Sequence, residues 1–271
     1  MTVIQAIILG IIQGVTEFLP VSSSGHLVLG AQLFGLQEQS LVFEVMVHVG
    51  TLVAVLAVFW REVEQLLLAA VKFVRSPSQA TTLVQQDPGC RLLIALVLGT
   101  IPAVVVALLF KEQVEQLFSS SLFVGVMLLV TGFILFLVDR RLPGKARQPS
   151  FLDALVIGCG QAAAIVPGLS RSGTTIAAGL LRGLDREGAA RFSFLLSIPA
   201  ILGALALSVR DLLRGATSLG LGVLVAGFLS AAVTGYLAIR FFLRVVRQGK
   251  LVWFSYYTWL VGAVIIVVYL L

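Results

Sequence analysis

Residues 1–36 read MTVIQAIILGIIQGVTEFLPVSSSGHLVLGAQLFGL, an apolar stretch broken at its middle by Glu17-Phe-Leu-Pro-Val-Ser-Ser-Ser-Gly-His26. The polar, proline-containing cluster divides the stretch into two arms, each near the lower limit for crossing a bilayer. Residues 152–184 repeat the pattern, interrupted by Pro167-Gly-Leu-Ser-Arg-Ser-Gly-Thr-Thr175. Backbone that leaves a helix at membrane depth is tolerated only where protein or a water-filled cavity covers it. Both stretches therefore predict re-entrant helix–loop–helix hairpins that enter and leave by one face, with an eight-helix arrangement as the alternative. In that alternative the first cluster would lie near the cytoplasmic surface.

Working outward, six uninterrupted apolar runs, 42–60, 92–110, 122–138, 192–209, 221–243 and 252–271, have the length of transmembrane helices. The 271 residues are 59% hydrophobic and 12% charged, against roughly 45–50% apolar and about 25% charged in soluble domains. Lipid must be the solvent for much of this surface. The runs do not alternate polar with apolar, which excludes barrel strands. The expected fold is an all-α polytopic membrane bundle, six transmembrane helices plus two re-entrant hairpins, in one domain covering 1–271.

Charge supports that arrangement. With six crossings, segments 61–91, 139–151, 182–191 and 240–250 share one side and hold fifteen of the nineteen Lys and Arg residues. Lys111, Arg210 and Arg214 fall opposite, and Arg171 lies in the second cluster. The positive-inside rule puts the basic side in the cytoplasm. The net charge of +6 thus reflects topology and anionic headgroups, not nucleic acid. Cys90 and Cys159 have neither metal nor disulfide spacing, and the N-terminus lacks the basic start of a cleavable signal peptide, so the chain reads as mature from Met1.

A shift of 148 residues aligns the hairpins without a gap: Gly10 with Gly158, Gln13 with Gln161, Ser22 with Ser170, Ser24 with Ser172, Gly25 with Gly173, Gly35 with Gly183 and Leu36 with Leu184. Each half, about 1–138 and 149–271, would hold one hairpin and three crossings. Three is odd, so the halves are inverted, an arrangement that builds a central site from broken helices. Their N-terminal ends offer free N–H groups and partial positive charge to an anion.

The clusters carry matching chemistry. Arg171 is costly at membrane depth unless paired or hydrated, and its planar fork suits phosphate oxygens. Ser170, Ser172, Thr174 and Thr175 could complete a cradle with the Gly168 and Gly173 amides. The alternative is a structural pair with a carboxylate such as Glu17. Glu17, the only carboxylate in 1–36, could hold a divalent cation, act as a base or orient a partner. His26 could attack phosphorus or shuttle a proton, while Ser22, Ser23 and Ser24 offer a nucleophile or phosphate contacts. Phosphoryl transfer needs positive charge on the equatorial oxygens, an activated nucleophile and help for the leaving oxygen. Gln13 reads as helix packing, His48 with Glu44 as a structural pair, and the Ala/Gly-rich 198–208 and 226–235 as helix-packing surfaces.

Gln13-Gly-Val-Thr-Glu17 with the following Phe18–His26, and Pro167–Thr175 with its Pro-Gly-x-Ser-Arg-Ser-x-x-Thr pattern, resemble the two motifs of the undecaprenyl-diphosphate phosphatase family, the bacitracin-resistance type. The resemblance runs across the whole chain. It implies a bacterial plasma-membrane hydrolase that converts undecaprenyl diphosphate to undecaprenyl phosphate and inorganic phosphate, recycling the carrier for peptidoglycan and giving bacitracin resistance. It also implies a divalent-cation requirement (Mg2+ or Ca2+) and a site open to the outer face. Carried onto this chain, Glu17, Ser23, His26 and Arg171 are catalytic, with either Ser23 or His26 as nucleophile. Ser22, Ser24, Ser170, Ser172, Gly173 and Thr175 support phosphate, and Glu17 with Gln13 faces the metal. Many relatives have glutamate where this chain has Gln13, so a metal site using two carboxylates of that motif is not expected. The rival reading is a lipid-phosphate transporter or flippase using the same inverted-repeat site. Membrane lipids are the expected surroundings, and the small-residue helices suit a homodimer.

Overall fold

A computed structural model describes residues 1–36, 41–118, 120–140, 144–214 and 219–270, without the side chains of 115, 207 and 209–214. Arg141 and the side chains of Arg210 and Arg214, counted above for topology, lie outside the described residues.

The described chain is helical: α1 Val3–Phe18, α2 Ser23–Leu33, α3 Leu41–Val58, α4 Trp60–Arg75, α5 Ala80–Gln86, α6 Pro88–Leu109, α7 Lys111–Leu117, α8 Ser121–Asp139, α9 Phe151–Ala163, α10 Arg171–Leu181, α11 Arg186–Arg214, α12 Leu221–Arg247 and α13 Val252–Leu270. Among them α3, α6, α8, α11 (Arg186–Ala206), α12 and α13 are long and apolar enough to cross a membrane, matching the six expected crossings. The arms of the two interrupted stretches are α1–α2 and α9–α10. The 11 residues of α2 or α10 span about 16 Å, well short of the roughly 30 Å hydrocarbon layer.

The helix ends follow from sequence. Thr2 and Ser150 cap α1 and α9, each with a reciprocal capping box. Pro20 biases the residue before it toward extended backbone, and Leu19 is extended (ψ 144°), which ends α1.

Packing exchanges the halves. Helix α1 lies on α12 while α9 lies on α6; α3 also touches α12 while α11 touches α6; α8 and α13 pack on each other. Small residues set the close contacts. A Cβ on Gly14 would lie 2.0 Å from Thr234 Oγ1 and 2.6 Å from the Ala231 carbonyl oxygen, and one on Gly158 would lie 2.3 Å from the Gly99 carbonyl oxygen. The 226–235 surface packs as expected: Gly227 faces Phe43 and Gly235 faces Ala54. The 198–208 surface largely does not. Ala200, Gly203, Ala204 and Ala206 border a cavity, their small side chains leaving room instead of closing a helix contact.

The four basic segments meet at one end of the bundle. Arg191 bonds Glu62 at 2.9 Å, Arg247 bonds Glu187 at 2.7 Å and Arg186 bonds Asp139 at 2.8 Å. Asp153, 1% exposed, lies between Arg147 (2.5 Å) and Arg182 (2.8 Å). Topology put these cations together, and carboxylates pin the loops there.

Gly14→Val should destabilise the bundle by about 1–3 kcal/mol, because a backbone carbonyl on α12 cannot yield to the added side chain. A lowered thermal midpoint in detergent checks this; an unchanged midpoint would mean that α1 does not seat on α12 as described.

Candidate active site

The two loops that join the hairpin arms meet. After Pro20 the chain turns through Ser22, whose φ of 68° is the left-handed region that side chains rarely occupy. Ser22 then caps α2, its Oγ accepting from the Gly25 amide at 3.4 Å. In the second hairpin Ser170 caps α10 in the same way, accepting from the Gly173 amide at 3.1 Å. The repeated Ser-x-Ser-Gly is thus a helix N-cap with glycine three residues on. Gly168, at φ 87°, is required twice: a Cβ there would also lie 2.5 Å from the Val124 carbonyl oxygen. Thr131 on α8 braces this loop, donating to the Gly168 carbonyl (3.1 Å) and accepting from the Ser170 amide (3.0 Å).

Glu17 stands at the junction and is 8% exposed. Arg171 Nη2 meets its Oε1 at 2.5 Å, and Nη1 donates to the Ser193 carbonyl at 3.3 Å. Its Oε2 accepts from Ser23 Oγ at 2.7 Å and from Gln13 Nε2 at 2.9 Å. Ser23 and Arg171 are the first residues of α2 and α10, so two helix N-termini converge on one carboxylate and favour its charge. A hydrogen bond from Ser172 Oγ to the Leu19 carbonyl, 3.0 Å, ties the loops together.

Of the four expected catalytic residues, three are brought together: Glu17, Ser23 and Arg171. His26 is turned elsewhere. Its Nδ1–H donates to the Ser22 carbonyl at 2.8 Å, which leaves Nε2 to accept from the Tyr257 hydroxyl on α13, also at 2.8 Å. Instead His48 of α3 stands beside the acid, its Nε2 4.0 Å from Glu17 Oε2 and its Nδ1–H fixed on the Glu44 carbonyl at 2.8 Å. The sequence reading made His48 structural; its being one of only two histidines was the available signal. The expected phosphate hydroxyls mostly hold the loops. Ser24 and Ser22 lie 3.3 Å apart, Ser170 and Ser172 3.2 Å apart, and Thr175 Oγ1 pairs with Ser193 Oγ at 2.6 Å.

Glu17 and Arg171 open onto a cavity of about 690 Å³ between α3, α6, α11 and the second hairpin. Glu44, His48, Thr100 and Gln161 are its other main polar groups, and aliphatic side chains such as Val45, Val104 and Ile201 make most of the wall. Ser23 and His26 are not on this wall; Ser23 reaches the site through Glu17.

This donor set does not fit a protein-held Mg2+ or Ca2+. Both Glu17 oxygens already accept protein donors, a guanidinium beside them repels a dication, and the Gln13 amide oxygen, though able to ligate Ca2+, brings no charge to offset that repulsion. No group of three or more His, Cys, Asp or Glu suited to a metal occurs among the described residues.

Comparison with known proteins identifies the family. A family model described as bacitracin resistance protein BacA matches residues 6–264. The undecaprenyl-diphosphatase of Carboxydothermus hydrogenoformans is 44% identical over 268 residues, 97% of this chain and 96% of that one. Undecaprenyl-diphosphatase 4 of Bacillus thuringiensis is 44% identical over 266 residues, 97% of this chain and 96% of that one. The undecaprenyl-diphosphatase of Methanosphaera stadtmanae is 40% identical over 271 residues, 98% of this chain and 97% of its own. A match that takes in both hairpins and all six long helices shows the family: this chain belongs to the bacitracin resistance protein BacA family.

Proposed function

We infer that this protein is a multi-pass plasma-membrane phosphatase that hydrolyses undecaprenyl diphosphate to undecaprenyl phosphate and inorganic phosphate. It thereby recycles the lipid carrier for peptidoglycan synthesis and confers bacitracin resistance. One observation carries the reading: a single carboxylate held between a serine hydroxyl and a guanidinium, where two helix N-termini meet at an apolar-walled cavity. The phosphatase names of the relatives favour hydrolysis, and nothing in the site favours the transporter alternative.

The chemistry follows from the contacts. Arg171 exchanges at least one of its two bonds, to Glu17 or to the Ser193 carbonyl, for oxygens of the terminal phosphate, whose charge grows as the bond to the leaving group lengthens. Ser23 is the better-placed nucleophile of the two: its hydroxyl donates to Glu17, which lines the cavity, and it has to come forward past that carboxylate to reach phosphorus. As Ser23 Oγ bonds to phosphorus, the bridging P–O bond breaks, undecaprenyl phosphate leaves and the hydroxyl proton passes to Glu17. Water then attacks the phosphoserine; Ser23 Oγ leaves with the proton from Glu17, and inorganic phosphate departs. His26, held by Tyr257, anchors the first turn of α2 and so positions Ser23. A divalent cation, which the resemblance implies, would come with the substrate and offset the charge of its diphosphate, since the residues here do not hold one. The two halves are read as inverted repeats in one catalytic domain, with α1–α2 and α9–α10 as re-entrant hairpins. Neighbouring copies would pair through exposed helix faces as a homodimer.

Purified protein in detergent should release phosphate from a prenyl diphosphate, and Arg171→Ala or Glu17→Gln should slow this about a hundred-fold or more, the cost of one transition-state charge contact. Near-normal turnover in either variant removes that residue from the mechanism. Turnovers on substrate labelled in the terminal phosphate, quenched with denaturant at neutral pH, should leave label on the chain that survives a later acid treatment and that Ser23→Ala abolishes. Acid-labile label would assign the attack to histidine, and no label would assign it to water. A chelator should leave the thermal midpoint of the ligand-free protein unchanged; a lowered midpoint would show a protein-held ion.

A further inference from the structure

One polar group on the cavity wall has no protein partner. Gln161, on α9, is 3% exposed and borders the cavity together with Glu17 and Arg171. Neither its Oε1 nor its Nε2 has a hydrogen-bond partner among the described residues. An unpaired buried amide lowers stability, so it persists where something outside the apo chain satisfies it.

The repeat shows what this amide takes. Its counterpart Gln13, 148 residues earlier, donates Nε2–H to Glu17 at 2.9 Å, one helical turn on. (Gln13 Oε1 is also unpartnered, but its donor is not.) The residue at the Glu17 position of the second hairpin is Ile165, which also lines the cavity. The second hairpin therefore keeps the donor and lacks the anion. The ligand of the phosphatase reading supplies one.

We propose that Gln161 binds the substrate, its Nε2–H donating to an anionic oxygen of the diphosphate as Gln13 donates to Glu17. The proposal rests on the phosphatase reading for the identity of the anion. Gln161 takes no part in bond making; it orients the headgroup against Arg171.

The test uses the full chain in detergent with Gln161→Leu, Gln161→Met and Gln161→Glu. Phosphate release gives KM and kcat, and thermal stabilisation by inorganic pyrophosphate gives a readout independent of turnover. Loss of one hydrogen bond to a charged group should raise KM about ten-fold in the Leu and Met variants, with the ligand-free midpoint unchanged or higher. The pyrophosphate shift should shrink in parallel, and Glu, which repels the anion, should be worst. Wild-type KM and an undiminished pyrophosphate shift in the Leu and Met variants overturn the proposal. Losses that follow a lowered midpoint in both assign Gln161 to packing and overturn it equally. A wild type that releases no phosphate, yet shows a Gln161-dependent pyrophosphate shift, sinks the phosphatase reading and leaves the anion contact standing.

Discussion

The contact between Glu17 and Arg171, 154 residues apart in the chain, is the constraint on which the rest of the structure depends. Neither charge is readily buried alone. Each lies on a short helical hairpin too small to bury its own polar loop. Bringing the loops together neutralises both charges and covers the backbone that leaves the helices between Phe18 and Ser23 and between Ala163 and Arg171. Stripping one partner from such a buried pair typically costs about 3–5 kcal/mol. Folding and chemistry therefore share the same two residues, and the glycines that let α1 and α9 settle on their neighbours serve the site by setting where those loops meet.

The scaffold is symmetric and the chemistry is not. Ser23 and Arg171 are repeat counterparts, each opening the second arm of its hairpin, and both bond Glu17. The carboxylate is thus approached by two residues that the 148-residue shift aligns, one a hydroxyl and the other a cation. Glu17 itself has become Ile165 in the second hairpin, so there is one acid instead of two.

Much of this was legible in the sequence, and the rest failed for identifiable reasons. The six long apolar runs, the two interruptions and the clustering of basic loops follow from the cost of polar backbone and charge in lipid, which acts on each segment independently. Glu17, Ser23 and Arg171 are recognisable because a buried charge needs a partner and few are available. His48 was underrated because it lies on an unbroken apolar helix, where nothing local distinguishes a packed histidine from one turned to a cavity. His26 was expected beside the acid because it shares the first loop, but helical rotation carries it round α2 to Tyr257. Most of the expected phosphate hydroxyls are committed to caps and cross-links in the ligand-free chain, because a serine at a helix start can serve a cap as well as a phosphate.

Position 13 sets the charge of the site. With glutamine there, the amide donates to Glu17, and the acid's one negative charge is balanced by one guanidinium. A glutamate in its place would put two carboxylates within hydrogen-bonding distance, a repulsion that only a proton or a dication relieves. Glutamine removes that demand. In the phosphatase reading, a phosphate that drew the guanidinium from Glu17 would free that carboxylate to take the Ser23 proton.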